Sequence, residues 1–275
     1  MKTLPFPEIY PIIFGAIQPS TQVYLVGGCV RDLFLGRTPG DIDLVLTDEV
    51  KHVSKRLATF FDGAVFSLDD ERQTMRVLLN YENIDLRIDL ALIRGEAIEQ
   101  DLKDRDFTIN AMAYHIQSDL SYHLIDPLSG KADLEKEIVT PCTNNALIDD
   151  PIRVIRAERL ALQLGFSVAK EVVDQMKEAV NKIEKVSGER QRDEIFKLLD
   201  LPHASVALYH YQKYGIFTDL FPSFSPERIK LVERFEDIYP ALPKPSLGEF
   251  QNAVNRYLKI TYTENRTILG LLKAS

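Results

Sequence analysis

The sequence lacks the features that mark secreted or membrane-bound proteins. Its two cysteines, Cys29 and Cys142, do not have the spacing of a metal site and imply no disulfide framework. No apolar run approaches the length of about 18 residues that a membrane-spanning helix needs. The N-terminal segment is interrupted by prolines and carries little basic charge, so it makes a poor signal peptide. These absences predict a cytoplasmic protein that does not contact a membrane.

The chain also lacks an excess of basic charge. Its 33 lysines and arginines face 41 acidic residues, which gives a net charge of −8. Because contact with many phosphates requires a basic surface, this balance argues against a protein that holds long nucleic acid by charge alone. A local basic groove that binds RNA stays compatible with this overall acidic charge. With 275 residues, the chain is long enough for two or three small domains.

Two aspartates in residues 24–46 form the most informative pattern. The stretch YLVGGCVRDLFLGRTPGDIDLVL predicts a strand, a glycine turn, a short helix, a loop and a second strand that carries Asp41 and Asp43. Alternate strand residues lie on the same face, so these two carboxylates share a face while Ile42 and Leu44 point into the core. Carboxylates held this close repel each other unless a cation lies between them. Oxygen ligands of this kind suit Mg²⁺, which also binds substrate phosphates.

The glycine turn that precedes these aspartates predicts a phosphate site. Gly27 and Gly28 end a strand and let the backbone approach a ligand closely. The next helix begins near residues 29–31, so its free N–H groups can face an anion. Taken separately, the two glycines are explained by a simple turn and the two aspartates by a solvated strand end. Together they indicate phosphoryl transfer from a nucleotide, assisted by a metal ion.

Three motifs resemble one known family. The stretch GGCVRDLFLGRTPGDIDLVL is similar to the first motif of the class II tRNA nucleotidyltransferase and bacterial poly(A) polymerase family. Residues 101–115, DLKDRDFTINAMAYH, resemble the motif D-L-x-R-R-D-F-T-x-N-A, with Asp104 in place of the first arginine of the pair. The stretch DDPIRVIRAERLALQLGF resembles E-D-x-x-R-x-x-R-a-x-R, with Asp149 in place of glutamate. A shorter S-x-E-R-x-x-x-E pattern is matched by Ser187, Glu189, Arg190 and Glu194.

The resemblance implies that Asp41, Asp43 and Asp89 are catalytic and that Asp41 and Asp43 bind Mg²⁺. Residues 85–93 alternate between apolar and polar side chains, and Asp89 lies on the polar face. If this strand adjoins the Asp-x-Asp strand, Asp89 reaches the same metal ions. A solvated position on the strand is the alternative.

A triphosphate site is predicted around residues 101–115. Arg105 offers a planar fork of donors that suits a triphosphate, and Asp106 would orient it through a charge-assisted bond. A local Asp–Arg salt bridge without any ligand is the alternative. The residues predicted to bind the nucleotide in this half of the chain are Gly27, Gly28, Arg31, Asp32, Arg105, Asp106 and Asn110.

From Asp149 onward the apolar spacing becomes helical. Asp150 is predicted to cap a helix that has Pro151 at its first position and ends at Gly165. Residues three apart lie on one helix face, so Asp150 and Arg153 are expected to lie close together.

The resemblance implies that Asp150 and Arg153 recognise the edge of cytosine or adenine, and that Arg156 and Arg159 bind the nucleotide nearer its phosphates. The acceptor and donor groups suit such a role. Simple capping and solvated arginines are the alternative. Glu189 and Arg190 are expected to brace the base-recognising helix, or to form a plain salt bridge between helices.

The predicted fold is α+β. Residues 1–140 are expected to form a nucleotidyltransferase head with a mixed β-sheet and flanking helices, including strands at 64–68, 75–80 and 85–93. Residues 141–200 would form an all-α neck, and residues 201–275 a short helical body. The body is predicted to contain four helices, at 203–214, 226–239, 247–259 and 264–273.

The resemblance implies a template-independent enzyme that adds CMP and AMP, from CTP and ATP, to the 3′ end of an RNA, with tRNA as the first choice. Poly(A) or A-only addition is the nearest alternative. The short C-terminus, Asp104 and the acidic balance motivate an alternative hypothesis of another class, a catalytically weak RNA- or nucleotide-binding protein on the same fold. A third hypothesis is transfer to a small-molecule acceptor, against which the RNA-type neck motif counts. No sequence feature predicts the oligomeric state.

Overall fold

Seven strands form one mixed sheet in the first part of the chain. The computed structural model describes residues 4–238. The strands are β1 (Val23–Val26), β2 (Asp41–Leu46), β3 (Ala64–Asp69), β4 (Thr74–Tyr81), β5 (Ile84–Leu92), β6 (Ala113–Ile116) and β7 (Tyr122–Ile125). Their order across the sheet is β3-β4-β5-β2-β1-β6-β7. The pair β2 and β5 is parallel and the other neighbours are antiparallel, which confirms the predicted mixed sheet.

Short helices flank this sheet. They are α1 (Ile9–Phe14), α2 (Gly28–Phe34), α3 (Val50–Phe60), α4 (Ile98–Lys103) and α5 (Gly130–Glu135), with a 3₁₀ turn at Thr108–Asn110 and a two-residue strand β8 (Ile138–Val139). Helix α3 packs against β3, β4 and β5. Its residues Val53 and Leu57 are buried, whereas Phe60 is 60% exposed at the margin of the buried stripe.

Buried and accessible side chains alternate along residues 41–44 of β2 and 86–91 of β5. In β5, Leu86, Ile88 and Leu90 are buried, whereas Arg87 and Asp89 on the other face are partly accessible. This alternation confirms the predicted orientation of Asp89. Apolar burial on one face anchors these strands in the core, and the polar face is left for other contacts.

The second part of the chain is helical. Its helices are α6 (Ala146–Asp149), α7 (Arg153–Leu164), α8 (Lys170–Ala179), α9 (Gly188–Leu199), α10 (Ala204–Tyr214), α11 (Phe217–Leu220) and α12 (Ile229–Ile238), with 3₁₀ turns at Val180–Lys185 and Pro226–Arg228 and a two-residue strand β9 (Ser167–Val168). The predicted helices at 247–259 and 264–273 lie outside the described residues. Among residues 4–238, no helix has the length and apolar character needed to cross a bilayer.

Internal contacts divide the chain into two compact units, Met1–Ala146 and Leu147–Ser275. The finer division into head, neck and body stays a prediction. In the first unit, Gly130 begins α5 where any Cβ would stand 2.1 Å from the carbonyl oxygen of Thr108, so only glycine fits this close approach.

The prediction that Asp150 caps the helix at residues 153–164 is wrong. Helix α7 begins at Arg153, Ile152 stands at its N-cap, and no side chain caps it. Asp150 belongs instead to the turn that follows α6, where its carboxylate accepts a bond from Arg190 in α9. The long-range ion pair thus replaces the local capping bond. The predicted end of the helix is confirmed, since Gly165 adopts a left-handed φ of 78°.

Candidate active site

Strand β2 places Asp41 and Asp43 on one face of the sheet, while the residues between and beyond them are buried. The parallel pairing with β5 sets Asp43 directly opposite Asp89 and Asp41 directly opposite Arg87. Paired residues of neighbouring strands point to the same face. Three carboxylates on two adjacent strands therefore share one face. The sequence predicted this for Asp41 and Asp43, and for Asp89 only on the condition that its strand adjoins theirs.

The glycine turn lies beside this carboxylate group. Gly27 has φ 75° and ψ −145°, a conformation that side-chain-bearing residues rarely adopt. A Cβ at Gly27 would stand 3.1 Å from Oδ2 of Asp43 and 3.2 Å from Nη1 of Arg105. The turn, one carboxylate and one guanidinium thus meet at a single point. This proximity brings the predicted phosphate-binding turn and the predicted metal-binding strand together.

Asp101, to which the sequence analysis assigned no role, orients Arg105. The Nε and Nη2 atoms of Arg105 donate to Oδ2 of Asp101 at 3.2 and 3.0 Å, and Asp101 is buried. Asp106 was expected to orient Arg105. Its carboxylate accepts bonds from the backbone N–H of Phe107 at 2.8 Å and from Nδ2 of Asn110 at 3.2 Å. The i, i+4 spacing of Asp101 and Arg105 was the available signal.

Arg31 links two more residues of the predicted nucleotide-binding set. It is 7% exposed, and its Nη1 donates to Oδ1 of Asn110 at 2.7 Å while its Nε donates to Oδ1 of Asp32 at 2.9 Å. A Cβ at Gly28 would lie 3.3 Å from Nη2 of Arg31. Arg31 therefore fastens α2 to the 3₁₀ turn that contains Asn110.

Arg76 and Arg87 are site residues that the sequence analysis missed. Arg76 in β4 donates two bonds to Asp89, both at 2.8 Å, and Arg87 in β5 donates to Asp41. Both arginines lie on the polar face of alternating strands, which was the signal that could have identified them. Two of the three carboxylates thus have an arginine partner on this face.

Asp43 retains the least compensated negative charge. Burial and the neighbouring Asp89 carboxylate raise the pKa of Asp43 to about 6, with Asp41 adding to the effect and Arg105 and Arg87 opposing it. A bound cation would reverse the balance, so the electrostatics of this face favour a cation near Asp43.

The oxygen donors present fit an open magnesium site rather than a closed cage. Within residues 4–238, no three histidine, cysteine, aspartate or glutamate side chains are placed to hold a metal by themselves. Mg²⁺ is commonly bound by one or two carboxylates, with water and substrate phosphate as the remaining ligands. Asp41 and Asp43 provide such a pair.

Cys29 helps to position the two aspartates. Its buried thiol in α2 donates to the carbonyl oxygen of Asp41 (2.9 Å) and accepts from the backbone N–H of Asp43 (3.2 Å). Burial raises the pKa of Cys29, so the group stays a neutral thiol. The helix that begins at the glycine turn is therefore tied to the strand that carries the carboxylates.

In the second unit, Asp150 lies between two arginines. Nη2 of Arg190 donates to its Oδ2 at 2.8 Å, and Nε of Arg153 lies 3.9 Å from the same oxygen. The predicted proximity of Asp150 and Arg153 is observed. Arg190 contacts Asp150 and Glu189 is exposed, so the bracing role predicted for these two residues stays a prediction. A cavity of about 550 Å³ adjoins Asp150, and it is lined by Ile148, Asp149, Asp150, Pro151, Lys182, Lys185, Val186, Ser187 and Arg190.

Arg156 and Arg159 both bond to Glu194, which the sequence analysis noted only as a motif match. Nη2 of Arg156 lies 3.1 Å from Oε1 of Glu194, and Nε of Arg159 lies 2.7 Å from Oε2. Glu194 is 4% exposed. This triad connects α7 to α9, so at least part of the arginine pattern serves the packing of the helices.

Two family models match the chain. The model described as the poly(A) polymerase head domain matches residues 23–140, which contain the strands and turns of the carboxylate site. The model described as the probable RNA- and SrmB-binding site of polymerase A matches residues 165–228. Together they match about two thirds of the chain.

Curated relatives are also similar to the chain. A CC-adding tRNA nucleotidyltransferase of Geobacter sulfurreducens is 40% identical over 181 residues, which are 66% of this chain and 41% of that protein. A CCA-adding enzyme of Bacillus pumilus is 34% identical over 279 residues, covering 97% of this chain and 66% of that protein. The chain thus spans about half the length of the curated relatives it matches.

A solved structure shares the fold. The Thermotoga maritima CCA-adding enzyme, in complex with tRNA, matches with a TM-score of 0.70 and 27% identity, covering 84% of this chain and 60% of that one.

Proposed function

The chain belongs to the poly(A) polymerase and tRNA nucleotidyltransferase family, and from this membership we propose that it adds nucleotides without a template to the 3′ end of a tRNA. The observation that carries the proposal is the meeting of Gly27, Asp43 and Arg105 on the carboxylate-bearing face of the sheet. The similar proteins are CC-adding and CCA-adding enzymes. Transfer of CMP from CTP is common to both activities, and transfer of a final AMP from ATP separates them.

In this proposal, Asp41 and Asp43 hold Mg²⁺, which when bound supplies activation of the terminal 3′-hydroxyl and neutralisation of the triphosphate as pyrophosphate leaves. Gly27 permits the backbone to approach the phosphates, because any side chain there would occupy the space before Asp43 and Arg105. Asp101 holds the guanidinium of Arg105 toward the same point. Catalysis would rest on this positioning and charge compensation, as in other phosphoryl transfers.

Two arginines maintain the shape of the carboxylate group in the same proposal. Arg76 fixes Asp89 through two parallel bonds, so Asp89 acts mainly as a charge beside Asp43. Arg87 holds Asp41 and would yield this carboxylate to the cation. Bidentate guanidinium–carboxylate pairs combine strength with a defined geometry.

Base selection is assigned to Asp150 and Arg153. The carboxylate of Asp150 offers acceptors, the guanidinium of Arg153 offers donors, and Arg190 fixes the carboxylate from α9. Arg156 and Arg159 remain candidates for contacts nearer the phosphates, with Glu194 holding both guanidinium groups in place. The cavity beside Asp150, to whose lining Lys182 and Arg190 contribute basic groups, supports a ligand site in this unit.

Transfer assays on defined tRNA ends test the function. Transcripts that lack all three, the last two or only the last of the CCA nucleotides are incubated with Mg²⁺ and with CTP or ATP alone. Two additions of C followed by a stop indicate CC addition, and a further single A indicates CCA addition. Unlimited A indicates polyadenylation. Binding without transfer indicates a binding protein, and transfer that needs no RNA indicates a small-molecule acceptor.

Arg153→Ala tests base selection separately from chemistry. Loss of a hydrogen bond to a charged group should raise the KM for CTP by roughly tenfold or more and reduce discrimination between CTP and ATP. Arg192→Ala is the matched control, because Arg192 is exposed in the same unit and pairs with Asp193. Equal KM values for the two variants would remove Arg153 from the proposed base site.

A further inference from the structure

The carboxylate face of the sheet continues outward across β5, β4 and β3. The strand registers align two rows of side chains on this face. The first row is Asp43, Asp89, Arg76 and Phe66, and the second is Asp41, Arg87, Leu78 and Ala64. Directly paired residues point to the same side of a sheet. Each row therefore begins at the proposed catalytic group and ends near the outer edge of the sheet.

The chemistry changes in order along these rows. Acidic groups lie innermost, guanidinium groups come next, and apolar side chains lie outermost. Phe66 is 50% exposed and Leu78 is 42% exposed, although both are large apolar residues on adjacent strands. A single exposed apolar residue needs no explanation, but two neighbours aligned with a reactive site form a candidate contact surface.

The distances suit the end of a single-stranded nucleic acid. Neighbouring strands lie about 4.8 Å apart, so Leu78 lies two spacings, roughly 10 Å, from Asp41, and Phe66 lies three spacings, roughly 14 Å, from Asp43. These separations are within the reach of a dinucleotide. Single-stranded nucleic acids are bound by basic groups along the backbone together with aromatic side chains on which bases stack. Arg76 and Arg87 stand between the carboxylates and the apolar pair, and the side chain of Arg87 is 43% exposed.

The geometry points to this face as the binding surface for the last two nucleotides of the RNA acceptor strand. A base stacks on Phe66 and contacts Leu78, the backbone phosphate lies near Arg76 and Arg87, and the 3′-hydroxyl lies beside Asp41 and Asp43. We call Phe66 and Leu78 the apolar platform. The inference rests on the proposed function for the identity of its ligand. Its charge pattern favours RNA over an apolar protein surface, which would leave the two arginines and three carboxylates facing nonpolar groups.

The test compares Phe66→Ala with a matched phenylalanine. Phe60→Ala is the control, because Phe60 is also highly exposed but lies on α3, which packs against the opposite face of the sheet. Phe66→Tyr keeps the ring and should behave like the unaltered protein. Binding is measured by fluorescence anisotropy with a labelled tRNA that lacks its CCA end, and by the quenching of 2-aminopurine placed at the 3′ terminus. Transfer assays give separate KM values for tRNA and CTP.

Phe66→Ala should weaken tRNA binding, and raise the KM for tRNA, by about fivefold or more, because it removes a base–aromatic stack. It should also abolish the quenching and leave the KM for CTP unchanged. An unchanged tRNA affinity in Phe66→Ala, or an equal loss in Phe60→Ala, would overturn the inference even if transfer is normal. A change in the sedimentation coefficient of Phe66→Ala without a change in RNA binding would assign the platform to self-association and also overturn it.

Failure of the proposed function gives a different result. If the unaltered protein transfers no nucleotide but binds tRNA in a Phe66-dependent manner, the platform stands and the enzymatic proposal falls. If the unaltered protein does not bind tRNA at all, both fall. Thermal unfolding of each variant verifies that the exposed substitutions leave the fold intact.

Discussion

Asp43 in the first unit and Glu194 in the second are carboxylates removed from water, yet their surroundings shift their pKa in opposite directions. Burial and the neighbouring Asp89 raise the pKa of Asp43 to about 6. Burial also raises the pKa of Glu194, but Arg156 and Arg159 outweigh it, so that the net pKa is lowered. One carboxylate is crowded by like charge, and the other is compensated.

This difference separates a candidate binding site from a structural contact. A buried carboxylate with two arginines joins helices and needs no further partner. A carboxylate next to other carboxylates has too few positive neighbours to balance its charge. Perturbed pKa values of this kind are concentrated at functional sites. The carboxylate face of the first unit therefore has a charge pattern suited to a ligand, whereas the triad of Arg156, Arg159 and Glu194 uses similar residues to join two helices.

Asp43→Asn should produce the largest effect and should separate activity from stability. Nucleotide transfer should fall by roughly 10²- to 10³-fold or more, because a charge that organises the transition state is lost. In the presence of a chelator at neutral pH, the free energy of unfolding should rise by at most about 3 kcal/mol, since repulsion on this face is relieved. Denaturant titration measures the stability, and a steady-state assay measures transfer.

The control for Asp43→Asn is Asp85→Asn on β5, where Asp85 is exposed and bonds to Asn80. It should leave both quantities nearly unchanged. A marked loss of stability in Asp43→Asn would mean that Asp43 is compensated like Glu194, and the contrast between the two units would disappear.

Glu194→Gln should reduce the free energy of unfolding by about 3 kcal/mol, because breaking a buried ion pair leaves arginines without their counter-charge. Glu189→Gln on the same helix is the control. Glu189 is exposed, so its substitution should change stability by no more than about 0.5 kcal/mol. Urea unfolding followed by circular dichroism compares the two. Equal stabilities would show that the triad with Arg156 and Arg159 does not hold the helices.

Gly27→Ala should disturb Asp43 and Arg105 by steric contact, without changing any charge. The backbone strain should cost about 1–3 kcal/mol of stability. Transfer should decline as well, since the new methyl group would press on Asp43 and Arg105. Gly36→Ala is the control, because Gly36 also has a positive φ of 72° but open space around its Cβ. If both variants retain full transfer, the close approach at Gly27 is not needed for function.

The smallest effect is expected at another buried carboxylate, Glu158, which pairs with a histidine. Its Oε2 lies 2.9 Å from Nδ1 of His210, and this bond raises the pKa of His210 above its ordinary value of 6.5. The folded state therefore binds the proton more tightly than the unfolded state. The stabilisation is complete below pH 6.5 and is lost as the pH rises through the folded-state pKa.

His210→Gln should therefore be less stable than the unaltered protein at pH 5.5, by at most about 1 kcal/mol because the imidazole is partly exposed and screened. The difference should shrink toward pH 8.5. Unfolding curves at a series of pH values measure it. A difference that grows with pH would mean that the ion pair is not the source of the stabilisation.

Structural features that depend only on residues adjacent in the chain, such as side-chain direction along a strand and the end of a helix, could be predicted from the sequence. Alternation along β2 and β5 was sufficient to place Asp41 and Asp43 on one face and Asp89 on a polar face, because side-chain direction in a strand follows from the local backbone. The left-handed end of α7 at Gly165 followed from the same kind of local preference.

The partners of the charged residues were not accessible in this way. Asp150 was predicted to cap a helix, but Arg190, forty positions away, captures its carboxylate. Arg76, Arg87 and Glu194 had no local signal that named their partners. A residue's ion-pair partner depends on strand register and helix packing, which combine distant segments.

By itself, the sequence determined which residue types stand on each strand face and where the glycine turn and the helices occur, since these follow from short-range backbone geometry. Only the tertiary structure decided that Asp43 faces Asp89, that Gly27 adjoins Arg105, and that the carboxylate face extends to Phe66. The physical reason is that charge interactions act through space: the pairing of β2 with β5 brings together side chains that are far apart along the chain, and the resulting distances determine which charges repel, which compensate and where a ligand can bind.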